Sequence, residues 1–548
     1  MTFAFFVQVK VFYLIILFLN FYYAVIRRNK MIKNNTRGIR ILKMHKFFTI
    51  VAILGVILLM NFNCSSPPAE EQLAKTYCGS CHLFPEPALL DKATWQDRVL
   101  PNMGWRLGIR KAGDDPYAEM ETDEALLVKK ANVFPEKQML SHVDWNKIAD
   151  YYYNEAPESP LPQKAPFTFD SLLKDFHAQA VTFTKRQLPQ TSLLKYDDAT
   201  GLLFIGDVQH ELYAMRNNLK LVASWKTESA PADIEFTTPG TPRVLCIGSM
   251  KPSQKLTGSF YAVDSMNAAA KNVKRFNGLA RPVACEAGDL NGDEVNDIII
   301  CQFGNHTGKL SWFDGGDPDK EHILNLQPGA RKVAVHDFDG DGKPDILALM
   351  AQAREELILF INKGKNKFSE KIVYQFPPVY GVSYFELADF NKDGHPDILL
   401  TNGDNWDLSP VKKYYHGIRI LMNDGKNNFK ITSFFPFYGA SKAVARDFDM
   451  DGDLDIAAIA FYDDPEEQAQ TFVYLENKGG GGFSSSTTPA AENGKWITME
   501  ACDFDRDGDQ DIVLGSFVYS VNELAKLVTR GLEAFPQVVV LWNDKMKR

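Results

Sequence analysis

A chain of 548 residues with 45% apolar composition can bury large cores and is expected to hold more than one domain. Its net charge of −9 argues against nucleic acid as a partner. The first 63 residues carry nine Lys or Arg and no acid, so the remainder stands at −18.

Phe3 to Ile26 is mostly apolar and long enough to span a bilayer. A basic stretch follows, then a second apolar run from Phe47 to Met60. Met44-His45-Lys46 before that run has the layout of a secretory signal, with residues 1–43 as an upstream extension. Translation from Met1 instead keeps the basic loop cytoplasmic and still places the bulk of the chain outside. Residues 1–63 are therefore expected to be a membrane or signal segment. Cys64, followed by Ser65-Ser66-Pro67-Pro68, resembles the acylated cysteine of a bacterial lipoprotein, although Asn61-Phe62-Asn63 departs from the usual small residues before it. The resemblance implies a lipid anchor on the periplasmic or outer surface.

Cys78-Gly79-Ser80-Cys81-His82 is the C-x-x-C-H of covalent c-type haem attachment. Two thiols add to the vinyl groups and the next residue's imidazole reaches the iron. No second cysteine pair lies nearby to complete a zinc site, and no thioredoxin-like pattern surrounds the motif. Ala69 to Tyr77 is rich in helix formers, and Ser141-His142-Val143-Asp144 resembles a capping box opening a helix with Trp145, Ile148, Tyr151 and Tyr152 on one face. Residues 64–155 thus resemble a small all-α monohaem cytochrome c. Met103, placed in a loop, is the expected distal ligand, with Met120, Met139 and His142 as competitors. Met/His ligation favours electron transfer over chemistry at the iron.

Residues 156–178 are expected to be a linker: Asn154 to Phe167 holds four prolines and no periodic pattern. From residue 179 to 548 the chain is strand-rich. Two units, Leu193 to Val222 and Arg243 to Val263, lack any acidic signature. Cys246, Cys285, Cys301 and Cys502 stand singly on strand-like segments, where they could pair in an exported protein but more often pack as small apolar residues.

A nine-residue phrase then appears five times, with first positions 48, 52, 58 and 56 residues apart. Oxygen side chains occupy positions 1, 3, 5 and 9 of each. They are Asp289, Asn291, Asp293 and Asp297; Asp337, Asp339, Asp341 and Asp345; Asp389, Asn391, Asp393 and Asp397; Asp447, Asp449, Asp451 and Asp455; and Asp503, Asp505, Asp507 and Asp511. Carboxylates packed this closely repel one another, and a hard divalent cation accepting six to eight oxygens removes that penalty, so calcium is the expected ion. An EF-hand would need Glu at position 12 between helices, whereas position 12 is Ala348 or Ala458 between strands. Solvated acidic turns would explain one copy but not five in the same relation to their strands.

Four short strands per unit at this period match a propeller blade. From about Ala280 onward the chain resembles the FG-GAP (VCBS) repeat family, which implies blades with calcium-binding loops. Two plain units and five acidic ones predict seven blades, with six or eight as alternatives. The last unit ends at its third strand, Val538 to Trp542, and the strand near Val181 to Thr184 is expected to close the ring.

The acidic loops join strands one and two of their blades, so the loops joining strands two and three lie on the opposite face. Three of these are long: Asn402 to His416, Tyr462 to Thr471 and Phe517 to Pro536. Trp406, His416, Asp464 and Arg530 on them are candidates for one ligand pocket. The expected protein is an exported, anchored electron-transfer protein with haem c, calcium and a propeller that recognises a redox partner or small-molecule substrate. A dehydrogenase acting on a small molecule such as a sugar, or an adhesion module with a sensory haem, are the alternatives.

Overall fold

Alternating apolar strands separated by acidic and glycine turns cannot bury both faces alone, and stacking them as blades solves this. In the computed structural model, residues 69–163, 171–184, 188–236, 242–263, 274–352, 354–404, 409, 411–461, 471–529, 531 and 535–547 are described. Ala69 to Arg548 forms one unit. Residues 1–63 and Cys64, including the expected membrane and lipidation signals, lie outside the described residues. Among the described residues, no helix is long and apolar enough to cross a membrane.

Seven antiparallel sheets make a seven-bladed propeller. The first two blades run from Thr191–Asp197 to Leu221–Lys226 and from Pro231–Glu235 to Phe276–Leu279. Blades three to six open on the strands Pro282–Gly288, Ala330–His336, Val382–Ala388 and Ala440–Arg446. The seventh joins Trp496–Cys502, Asp511–Ser516 and Val538–Asn543 to Phe176–Val181 as its outer strand, in register from Phe176 opposite Asn543 to Val181 opposite Val538. The ring therefore closes with an N-terminal strand, as expected, but the strand begins at Phe176. Ser171–Leu172 also pairs, parallel to Ser486 and Thr487, as a fifth strand of blade six. The end of the expected linker is thus sheet, because two blade edges there offer unpaired backbone groups.

The second strand of each acidic blade is buried from end to end: Asp297–Gln302, Asp345–Met350, Asp397–Asn402, Asp455–Ala460 and Asp511–Ser516. Such strands read as continuous apolar runs because a neighbouring blade covers each face. Adjacent blades share a core. Ile299, Cys301 and Trp312 meet Val333, Ile346 and Phe360 between blades three and four, and Val513, Val540 and Phe504 meet Leu194 and Ile205 where blade seven meets blade one. The innermost strands add ion pairs between neighbouring blades, Lys195 to Asp233 at 3.9 Å and Lys442 to Glu500 at 3.8 Å. Cys246, Cys285, Cys301 and Cys502 are buried and free.

Before the ring, helices Ala69–Cys78, Leu100–Arg106 and His142–Glu155 enclose a small core of Ala74, Leu90, Trp95, Ile148 and Tyr152, to which a further helix, Thr122–Lys130, contributes no residue. Ser141 caps the last of them, its Oγ accepting from Asp144 N at 3.1 Å. Asp144 Oδ2 accepts from the Ser141 hydroxyl at 2.8 Å and not from the Ser141 amide, so only the forward half of the expected capping box is formed.

Candidate metal centres

The five acidic loops share one backbone design. The position-1 carboxylate accepts amide protons from the loop it opens: Asp337 takes those of Gly340, Asp341 and Gly342 at 2.8, 3.2 and 2.8 Å, and Asp289 those of Gly292, Asp293 and Glu294. To aim those amides inward, positions 4 and 6 both adopt positive φ. Position 6 is Gly342 (83°), Gly394 (84°), Gly452 (96°) and Gly508 (106°), while Lys392, Met450 and Arg506 accept the strain at position 4.

Position 9 does something the spacing did not predict. Asp297, Asp345, Asp397, Asp455 and Asp511 are fully buried. Asp345 accepts from Phe338 N at 2.9 Å through one oxygen and from Asn362 N at 2.7 Å through the other. Asp511 repeats this with Phe504 N and Asn543 N, and Asp397 with Phe390 N and Asn423 N. The residue is a clasp between the loop and the end of strand three. Burial raises the carboxyl pKa of all five, to about 6 at Asp455 and about 7 at Asp511.

The asparagine ending strand three completes the clasp, and sequence reasoning missed its role. Asn362 Nδ2 donates to Pro344 O at 3.0 Å and to Leu290 O of the preceding blade at 2.8 Å. Asn543 Nδ2 does likewise with Gln510 O and Phe448 O. The signal was present as a recurring Asn362, Asn423, Asn477 and Asn543 at the end of an apolar strand.

The donor sets fit a hard cation. Oxygens of Asp337, Asp339 and Asp345 lie within 4.8 Å of one another, as do those of Asp447, Asp449 and Asp451 and of Asp503, Asp505 and Asp507. Among the described residues, Asp447 Oδ1, Asp503 Oδ1 and Asp509 Oδ1 are buried with no hydrogen-bond partner, and Asp507 Oδ2 has only Lys547 Nζ, 3.7 Å away. Buried carboxylate oxygens without donors are costly unless an ion takes their charge. In the two remaining loops Asn291 and Asn391 supply the position-3 oxygen, and each accepts the position-5 amide, at 2.9 and 3.1 Å.

The C-x-x-C-H segment closes the first helix. Cys78 is its last residue and partly buried, with its thiol pushed up to about 11 by burial, while Cys81 is exposed and both are free. His82 Nδ1 lies 2.9 Å from Leu83 O. Donation to that carbonyl leaves Nε2 as the lone-pair nitrogen, the arrangement a metal-ligating imidazole needs. Burial lowers the His82 pKa, with Arg106 and Arg354 adding to the effect. Met103 is not in a loop: the helix Leu100–Arg106 continues directly from Lys92–Thr94 through a π turn at Trp95–Val99, and Met103 packs on the same core as Cys78 and Phe84. Met139 is 56% exposed and His142 is bonded to Gln138, so neither shares that core.

The helical segment sits on the face opposite the acidic loops. Arg106 Nη2 lies 3.1 Å from His306 Nδ1, Phe134 packs edge-on to His306, and Glu124 accepts from Ser253 Oγ and Gln254 N, each at 2.6 Å. Val379 and Val411 pack against the helical core. Of the four candidate pocket residues, His416 lies on this face but is wholly buried. Trp406, Asp464 and Arg530 lie outside the described residues. The third long loop holds a helix, Val521–Thr529, whose Glu523 pairs with Lys495.

A family model described as FG-GAP-like repeat matches residues 289–348, 337–400 and 447–514, stretches that contain all five acidic loops. The chain carries FG-GAP-like repeats on a seven-bladed β-propeller. It is similar to integrin alpha-V of Gallus gallus, 27% identical over 212 residues, covering 34% of this chain and 20% of that protein. The match spans about a fifth of that relative's length. Among solved structures, the Neurospora crassa Pan2 WD40 domain is similar with a TM-score of 0.39 and 10% identity, over 65% of this chain and 89% of that one. The Myceliophteria thermophila Cps50 (Swd1) β-propeller domain gives 0.41 and 10%, over 67% and 99%.

Proposed function

We propose that this is an exported, membrane-anchored electron-transfer protein in which a monohaem helical segment is mounted on a calcium-stabilised recognition propeller. The observation that carries the reading is the C-x-x-C-H at the end of a helix, with His82 Nδ1 turned to a backbone carbonyl. Cys78 and Cys81 would hold the group covalently, His82 would ligate it through Nε2, and Met103 is the proposed second ligand. Haem c bound there supplies a one-electron couple. Tyr152, whose hydroxyl donates to Pro85 O at 2.9 Å, and Trp95, whose indole donates to Pro87 O at 2.9 Å, fix the turn that follows His82.

On the other face, the five loops would each hold one calcium ion through positions 1, 3 and 5, with position 9 joining where its second lone pair points inward. The chain's own part is to pre-form each loop through the position-1 and position-9 carboxylates, so that binding costs little ordering. FG-GAP-like repeats on a propeller support a recognition role, and we assign it to a redox partner or a small molecule met outside the cytoplasm.

The test is the full chain produced with a haem-maturation system. A c-type absorption spectrum and colour that survives acid–acetone extraction are expected. A colourless product, or haem that extracts freely, refutes the reading. Met103→Ala should remove the methionine-to-iron charge-transfer band; its persistence moves the ligand elsewhere.

A further inference from the structure

The fifth acidic loop, Asp503 to Asp511, carries a carboxylate that the other four do not hold in the same way. Position 7 is Val295, Lys343 and His395 in the first three loops, all exposed, and Asp453 in the fourth. Asp453 is partly exposed and pairs with Lys392 of blade five at 2.7 Å. Asp509, the same residue at the same position, is 2% exposed.

The C-terminal segment buries it. Met546 N donates to Asp509 Oδ2 at 3.0 Å, and Asn543 N donates to Asp511 Oδ1 at 2.8 Å. Asp509 Oδ1 is left buried without a hydrogen-bond partner. Its neighbour Asp507 takes the Asp509 amide on Oδ1 at 3.2 Å, while Asp507 Oδ2 has only Lys547 Nζ, 3.7 Å away. Burial, then the facing carboxylates of Asp507 and Asp505, push the Asp509 pKa up to about 6. Two buried carboxylates with free oxygens repel one another unless a cation or a proton comes between them.

Charge separates those two outcomes. Loop two holds four carboxylates, Asp337, Asp339, Asp341 and Asp345, with Lys343 on Asp341 and Lys363 on Asp339. Four carboxylates less two lysines leave −2, which one divalent ion neutralises. Loop five holds five carboxylates, and among the described lysines Lys547 lies on them, 2.9 Å from Asp505 and 3.7 Å from Asp507. Arg506 is exposed and turned to Asp198 O at 2.9 Å. Five carboxylates less one lysine leave −4, the charge of two divalent ions. The triad Asp503, Asp505 and Asp507, whose oxygens lie within 4.8 Å of one another, does not include Asp509. The excess charge therefore sits beside the triad and not in it.

We propose that Asp507 Oδ2 and Asp509 Oδ1 form a second cation position in the fifth loop, beside the ion expected at Asp503, Asp505 and Asp507, and that it takes a hydrated hard divalent cation, calcium or magnesium. Two carboxylates completed by water suit either ion. The inference rests on the loops binding calcium as proposed above, and adds one ion to that set. Held by two carboxylates, this ion is weaker than that of the triad and leaves on dialysis. Because Asp509 also holds Met546 N, the ion fastens the C-terminal segment to the loop.

The experiment is equilibrium dialysis of the full chain against radiolabelled calcium at neutral pH, carried past the range of about 10⁻⁴–10⁻³ M typical of weak extracellular sites. Wild type is expected to bind one more ion per chain than Asp509→Asn, and that ion fills last. Asp453→Asn, at the equivalent exposed position, should match wild type, and Asp507→Asn should lose two ions. Given that pattern, displacement of the last ion by magnesium assigns the position to both cations, and no displacement assigns it to calcium. Equal counts for wild type and Asp509→Asn overturn the proposal, whether Asp509 then carries a proton or assists the first ion. An equal loss from Asp453→Asn does the same, because the count then follows surface charge alone. A wild-type chain that binds no calcium overturns the reading of the loops and this inference with it, a result distinct from a count one ion short. If Asp509→Asn does not fold, hydrogen exchange of wild type decides. The Met546 amide should slow only as the last ion binds; a change complete with the tighter ions, or none, overturns the proposal.

Discussion

The two faces of the propeller are built on different principles. One carries a single local design repeated five times, in which each loop is closed by residues within nine positions of one another and, in four of the five, by an asparagine at the end of the same blade's third strand; in blade three Gly315 N takes that place against Asp297. The other carries contacts that occur once each and join residues far apart in sequence, such as Arg106 with His306 or Gln163 with His416. Repetition makes the first face tolerant, since four loops remain when one fails. The second has no redundancy and suits a function that needs one specific arrangement.

The largest expected effect is on the repeated face. Exhaustive chelation at neutral pH leaves eighteen clustered carboxylates, only a few of them opposed by lysines such as Lys343, Lys363 and Lys547, and the melting temperature should fall steeply. Each site saturated at a hundredfold excess over Kd contributes about 2.7 kcal/mol to the folded state. Unchanged melting after chelation would remove the distinction between the faces.

A second comparison separates clasp from ligand. Asp345→Ala strands two buried amides, those of Phe338 and Asn362, and should cost about 2–5 kcal/mol with or without calcium. Asp339→Ala should destabilise only when calcium is present. Equal costs in chelator would show that position 9 is not a separate structural element.

The single-copy face should respond to acid. Burial, helped by Arg106, holds His306 down at about 4. The folded pKa lies below the unfolded value near 6.5, so the contribution is complete above about pH 6.5 and is lost as pH falls to about 4, by at most roughly 3 kcal/mol. Melting of wild type and His306→Gln from pH 7.5 to 4 should converge as the pH drops; parallel curves would contradict it.

The smallest effect tests the links between blades. Asn543→Ala removes donations to Gln510 O and to Phe448 O of blade six and should cost about 1–3 kcal/mol. Asn217→Ala, whose amide makes one long 3.5 Å contact at an exposed site, should cost under about 0.5 kcal/mol.

This contrast also explains what could be read from the sequence. The phrase beginning at Asp447, its period and the truncated last unit ending at Val540-Leu541-Trp542 were enough to expect seven blades closed by an N-terminal strand. Repeats average out local ambiguity, because a pattern seen five times needs no tertiary information. Position 9 was read as a ligand alone because spacing shows which oxygens are near a loop, not which amides already occupy them. Around Met103 the sequence suggests a loop because Pro101 reads as a helix breaker, whereas the π turn at Trp95–Val99 leads the helix through it. The docking of the helical segment was invisible: Val379, Val411, His306 and Glu124 share no pattern, and their meeting depends on the closed ring.

Elemental analysis of the purified, haem-matured full chain tests the central claim most directly. The account predicts one iron per chain that survives acid–acetone treatment and up to five calcium ions per chain that are lost on chelation. A chain with neither metal, or with iron that extracts freely and calcium that stays below one ion, would contradict it.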